Sequence, residues 1–81
     1  MNPYTETDNI RIFSKDVDPM SLIWHKDQED RLIESVEKTD WQFQFDDELP
    51  ISMNEPIFIP AYTIHRVIKG TGDLKVKIVR Y

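Results

Sequence analysis

The 81-residue chain contains no cysteine. That excludes a disulfide framework and a thiolate metal site, and it suits a reducing compartment. Glycine is nearly absent too: the only two, Gly70 and Gly72, sit in one short segment. Long apolar runs are missing. A membrane helix takes about 20 consecutive apolar residues, and the polar N-terminus lacks the apolar core of a signal peptide. A soluble, cytoplasmic protein with no membrane partner is therefore expected. Basic charge is in short supply, with 10 Lys and Arg against 15 Asp and Glu and a net charge of −5. Neutralising phosphates needs a basic surface, so no nucleic-acid partner is expected. Lys69, Lys75, Lys77 and Arg80 oppose an acidic middle at Asp46, Asp47 and Glu48. Halves of opposite sign solvate a surface or complement a like subunit.

Aromatic residues are plentiful, with two Trp, four Phe and three Tyr. Each can bury a large area, yet a domain this short lies near the lower limit of independent folding. A small strand-rich domain also leaves sheet edges that need cover. Both pressures point to a homodimer.

Residues 1–8 are polar without periodicity and read as a flexible N-terminal arm, leaving 9–81 as a single domain. Ile10 and Ile12 alternate with Arg11, a short strand pattern. Asp16 to Pro19 has turn chemistry, and Ser21–His25 reads as a buried or half-buried strand. Leu32, Ile33 and Val36 follow helical spacing in an acidic stretch that Asp27 could cap, so local propensity over 27–38 favours a helix. Trp41, Phe43 and Phe45 alternate strictly with Gln42 and Gln44, a half-buried strand. After a turn at Asp46-Asp47, Glu48–Ser52 suits a short returning strand. Pro56 and Pro60 bracket Ile57–Ile59 as another. Along 63–69, Thr63, His65 and Val67 share one face while Ile64, Arg66 and Ile68 share the other. Gly70-Thr-Gly72-Asp73 reads as a hairpin turn whose glycines supply positive φ, before Leu74, Val76 and Ile78 alternate with Lys75 and Lys77. Six to eight short strands with turns between them predict a small all-β barrel or sandwich.

Only two histidines occur, His25 and His65. On a strand, His25 and Asp27 at i and i+2 point to one face. Were a second strand to bring His65 alongside, two imidazoles and a carboxylate would converge as ligands for Fe, Mn, Ni or Zn with open positions. The ordinary alternatives are a partly buried histidine donating to a backbone carbonyl and an aspartate in a solvated turn or cap.

From Phe58 the chain reads F-I-P-A-Y-T-I-H-R-V-I-K-G, and here it resembles the second motif of the cupins. In that motif a strand ends at a proline, a turn follows, and a histidine begins the next strand. Pro60 and His65 match those positions, with Tyr62 roughly where cupins often place a glycine. The first cupin motif has two histidines one residue apart and an acid a few positions on; W-H-K-D-Q-E-D-R supplies His25, then Asp27 in place of the second histidine, then Glu29 or Asp30. The resemblance runs from Ser21 to Tyr81. It implies an antiparallel, jelly-roll-like cupin barrel over 9–81, with 27–36 extended, and a divalent metal on His25, Asp27 and His65 with Asp30 or Glu29 as a fourth ligand. No organic cofactor is implied. The His-x-Asp and distant His also resemble the triad of oxoglutarate-dependent oxygenases, with Arg66 or Arg80 as an anchor for the co-substrate, but 81 residues lack the elements that enclose that co-substrate.

Arg31 and Arg66 lie near the histidines in sequence and could hold an anion through bidentate contacts or pair with surface carboxylates. Trp24 and Phe58 could line a pocket or belong to core or interface. Tyr62 could serve as a general acid or as a packed rim residue. No serine nucleophile with a paired histidine is evident, and Gly70-x-Gly72 is too short for a phosphate loop. Two functions stay open. One is a metal protein acting on or binding a small polar molecule. The other is a metal-free small-ligand or protein-interaction module; compact cupin-like chains also resemble accessory proteins of bacterial viruses.

Overall fold

Alternation of inward and outward side chains organises nearly every element of this chain, as the computed structural model of residues 2–81 makes plain. The strands are β1 (Tyr4–Thr7), β2 (Ile10–Phe13), β3 (Arg31–Ser35), β4 (Gln42–Phe45), β5 (Ile51–Ser52), β6 (Ile57–Ile59), β7 (His65–Ile68) and β8 (Leu74–Arg80), with one 3-10 turn at Pro19–Ser21. They form a five-stranded sheet in the order β1-β2-β8-β3-β6 and a three-stranded sheet in the order β5-β4-β7, antiparallel throughout. Phe13, Ile33, Ile57, Ile59, Leu74, Val76 and Ile78 from the larger sheet meet Phe43 from the smaller one, and Leu22, Trp41 and Met53 from the flanks complete the core. This is a small all-β sandwich or barrel.

The segment 27–38 is not the helix that local propensity favours; its centre is extended, as the resemblance implies. Its centre is β3, paired with β8 from Arg31 to Ser35 and with β6 from Arg31 to Ile33. Pairing on both sides and burial of Ile33 outweigh a helix preference of a few tenths of a kcal/mol per residue. The expected strand at Ser21–His25 is also replaced. Asp18 accepts from the Met20 amide and opens the 3-10 turn, and the amides of Ser21 and Leu22 donate to the carbonyls of Asp18 and Pro19. Local bonds consume those groups, so only His25 reaches a partner strand.

Tyr4–Thr7 is not a loose arm but the edge strand β1. Asp8 and Asn9, at φ 52° and 66°, form the two-residue loop between Thr7 and Ile10, the left-handed pair that a tight hairpin requires. Met1 lies outside the described residues. Residues 70–73 are not a hairpin either: β7 pairs in the small sheet and β8 in the large one, so the segment crosses between sheets. Neither glycine has positive φ. Gly70 is needed for close approach, because a Cβ there would strike Asp40 Oδ1 and lie 2.7 Å from the Trp41 amide nitrogen. Asp40 in turn accepts from the Thr71 amide and hydroxyl at 2.9 and 2.8 Å, and the Trp41 indole donates to the Gly72 carbonyl at 2.7 Å.

Gly70→Ala is therefore expected to destabilise the domain by about 1–3 kcal/mol through overpacking. Gly72→Ala, which meets nothing within 4 Å, should stay within about 0.5 kcal/mol of the parent. Urea unfolding of both variants checks the contrast.

Candidate metal centre

His25 and His65 face each other across an isolated antiparallel bridge. The His25 amide donates to the His65 carbonyl at 3.0 Å and the His65 amide donates back at 2.9 Å. Residues that exchange both bonds project their side chains to one face, and the imidazole centroids lie 4.4 Å apart. Each Nδ1 sits against a main-chain carbonyl two residues earlier, 3.0 Å from Ile23 O for His25 and 2.7 Å from Thr63 O for His65. A carbonyl only accepts, so each Nδ1 carries the proton and each Nε2 of the neutral ring keeps its lone pair. Phe43 stacks on His65 at 5.3 Å and fixes the ring plane.

Asp27 completes the group. Its main-chain carbonyl accepts from the Tyr62 amide at 2.7 Å, tying the loop before β3 to the loop before β7. Asp27 Oδ2 lies 3.4 Å from His65 Nε2, and Oδ1 lies 3.3 Å from an Arg31 Nη. One donor atom from each of His25, Asp27 and His65 falls within 4.8 Å of the others. Oδ2 is buried and has no hydrogen-bond partner. A buried carboxylate oxygen facing an imidazole lone pair is unfavourable by itself, and it is what a ligand atom for a cation looks like. Donor chemistry and orphaned oxygen both fit a divalent metal with open coordination positions.

Burial pushes the His65 pKa below its ordinary value, and the charges of His25 and Arg31 act the same way; the Thr63 carbonyl and Asp27 oppose them. The ring is thus neutral at pH 7, the form that ligates metal.

Arg31 stands beside the triad, donating from Nε and Nη2 to Glu29 Oε1 at 3.2 and 2.9 Å. Asp30 does not join it: its Oδ1 accepts from the Ala61 amide at 2.7 Å, so the acid expected as a fourth ligand braces the turn after β6 instead. Glu29 pairs with Arg31 and Arg80. Arg66 points outward from β7, holding Gln44 Oε1 at 3.0 and 2.8 Å and covering the Trp24 ring at 4.4 Å. Phe58 projects outward from β6 and packs near Tyr81. Tyr62 is exposed and has φ 61°, a left-handed conformation that costs an L-residue about 1–2 kcal/mol. Its contribution to the site is its backbone amide. None of Trp24, Phe58, Tyr62 and Arg66 lines the cavity of about 400 Å³ that adjoins the triad.

Two residues of that cavity wall escaped the reading of the sequence, Arg11 and Tyr4. The alternation at 10–12 predicts a short strand without saying which face is inward; Ile12 is exposed and the Arg11 side chain is only 12% exposed. The available signal was Phe13, which shares the Arg11 face and is a stronger core residue than either isoleucine.

No protein-family model matches the sequence, and no curated protein matches it. Solved structures do match the fold. One is described by the words "DMSP lyases RdDddP and RnDddQII", with TM-score 0.63 and 18% identity over 89% of this chain; the chain spans 38% of that protein's length. Another is a candidate mannose-6-phosphate isomerase from Ralstonia eutropha, with TM-score 0.62 and 18% identity over 94% of this chain and 77% of the other. A third is protein NMB1881 from Neisseria meningitidis, with TM-score 0.56 and 15% identity over 95% of this chain and 78% of the other. The fold is cupin-like. Among the described residues, no helix is long and apolar enough to cross a membrane.

A histidine whose folded pKa is depressed leaves the unfolded chain binding more protons as acid is added, so stability falls as pH drops through about 6.5. In chelator, the parent should lose stability between pH 7.5 and 5.5 at up to about 1.4 kcal/mol per pH unit from this group. His65→Gln should show a shallower slope in urea titrations across that window.

Proposed function

We propose that His25, Asp27 and His65 hold one divalent transition metal, Fe, Mn, Ni or Zn, and that the adjoining cavity receives a small polar molecule. The observation that carries this reading is Asp27 Oδ2, buried without a hydrogen-bond partner and 3.4 Å from an imidazole nitrogen whose lone pair is free. A bound metal would supply Lewis-acid or redox chemistry at an open position. The chain's own part is to present the ligands. The carbonyls of Ile23 and Thr63 hold the Nδ1 protons so that Nε2 faces inward, and Arg31 steadies Oδ1 and leaves Oδ2 to the metal. The fold neighbours are compatible with this reading, since two of them are named for work on small molecules.

Elemental analysis of protein purified without chelator tests the proposal. About one divalent ion per chain is expected for a two-His, one-carboxylate site, with loss in a His25→Ala, His65→Ala double variant. Asp27→Asn, which keeps size and shape, should weaken metal affinity by at least about tenfold. No metal in the parent even after incubation with Fe(II), Mn(II), Ni(II) and Zn(II) would contradict it. That result would favour the second reading, a metal-free ligand or interaction module, for which Arg31 at 3.3 Å already gives Asp27 a cation partner.

We also propose a homodimer through the outer face of the larger sheet. Phe58 and Val79 flank Leu32 in register there, and Tyr81 lies beside Phe58, giving an exposed apolar row next to the edge strand β6. Light scattering is expected to give twice 9.7 kDa, and Phe58→Ser should restore the monomer mass. A parent that is monomeric at micromolar concentration would rule the pairing out.

A further inference from the structure

We infer that the cavity takes a small organic monocarboxylate, with Arg11 as the residue that receives its carboxylate and the apolar wall receiving its body. The inference rests on the cavity assigned above as the ligand space. It does not require that the metal be bound.

Arg11 projects inward from β2, on the same face as buried Phe13. Its guanidinium lies 3.8 Å above the Tyr4 ring and bonds Glu6 Oε1 through Nε at 3.0 Å and Nη2 at 2.9 Å. Those contacts fix the plane of the fork and leave the Nη1 hydrogens without a protein acceptor among the described residues. A guanidinium so oriented is prepared for a planar carboxylate at little further cost in side-chain entropy.

The charged groups beside the cavity form one connected array. Glu6 serves two guanidiniums, since Arg80 also bonds it at 2.9 and 3.1 Å. Glu29 is shared in the same way, 2.9 Å from Arg31 and 3.6 Å from Arg80. The third carboxylate, Asp27, pairs with Arg31 at 3.3 Å, so three arginines meet three carboxylates. Arg11 and Arg31 line the cavity, whereas Glu6 and Glu29 do not. At the wall Arg31 is met by Asp27, so Arg11 is the guanidinium whose carboxylate partner lies outside the lining. A carboxylate on Arg11 adds a single negative charge to this balanced array, whereas a phosphate dianion would set two beside Glu6 and Asp27.

The rest of the wall sets the ligand's body. Phe13, Ile33, Met53, Val76 and Ile78 also line the cavity, and about 400 Å³ is near the small end of ligand pockets. A carboxylate with a compact apolar body suits that part of the lining.

Benzoate, benzyl alcohol and inorganic phosphate are the probes, titrated by calorimetry and amide chemical shifts into wild-type protein with chelator and, separately, with one equivalent of Zn(II). Benzoate should bind at least about tenfold more tightly than the neutral alcohol, the worth of one charge-assisted contact, and shift the amides of Tyr4, Arg11 and Phe13. That ratio needs no variant and so does not depend on one folding. Arg11→Met, which keeps the apolar stem, should abolish the preference for benzoate over benzyl alcohol, and Arg11→Lys should fall between. Equal affinity for benzoate and benzyl alcohol overturns the inference, as does an unaltered preference in a folded Arg11→Met protein. Phosphate binding as tightly as benzoate overturns the carboxylate assignment. A benzoate preference in chelator, in a protein that takes up no Zn(II), would sustain this inference while the metal reading failed; Zn(II) uptake with no benzoate preference would do the reverse.

Discussion

The reciprocal pair of backbone hydrogen bonds between His25 and His65 is the constraint on which the site depends. Before it, the chain runs through a 3-10 turn and an irregular stretch with exposed Ile23 and Trp24. After it, the chain enters β3 in the other sheet. One bridge thus docks a loop onto the end of β7 and sets both imidazoles on the same side. Without it His25 would belong to a surface loop, and the chain would hold one buried histidine beside an aspartate.

A second layer of order surrounds this bridge. Glu6 links Arg11 to Arg80, Glu29 links Arg80 to Arg31, and Asp27 links Arg31 to His65. Charges alternate along this row from the edge hairpin to the imidazoles. Exposed ion pairs are individually worth little, but the inner members here are largely shielded, with Arg11, Arg31 and Asp27 side chains at 12, 13 and 14% exposure. Inward-facing charge of this kind is costly in a domain this small. It runs along the cavity and beside the donor triad, where the proposed binding function would use it.

Much of this was legible in the sequence. Period-two alternation located β4, β7 and β8, and Pro56 and Pro60 bounded β6. The triad of His25, Asp27 and His65 was readable because histidine is so scarce that the two rings had few other roles to fill. Where local chemistry and long-range pairing disagreed, local reading failed in both directions. The helical spacing of Leu32, Ile33 and Val36 yielded to two flanking strands, and the strand-like S-L-I-W-H yielded to a capped turn. The Asp8-Asn9 hairpin was missed because a polar segment was taken as unstructured. A glycine is required at 70, but by the close approach of Asp40 and Trp41 rather than by positive φ; those partners lie some 30 residues away in the chain and leave no local trace. Arg11 is not singled out by the sequence because the Ile10-Arg11-Ile12 alternation marks a strand without marking its inward face.

Nitrogen NMR of the two imidazoles addresses the central claim directly, because it reads the lone pairs themselves. In metal-free protein at pH 7.5 both rings should carry their proton on Nδ1, and on addition of one equivalent of Zn(II) both Nε2 resonances should move together. Rings protonated on Nε2, or a response confined to one histidine, would contradict the account.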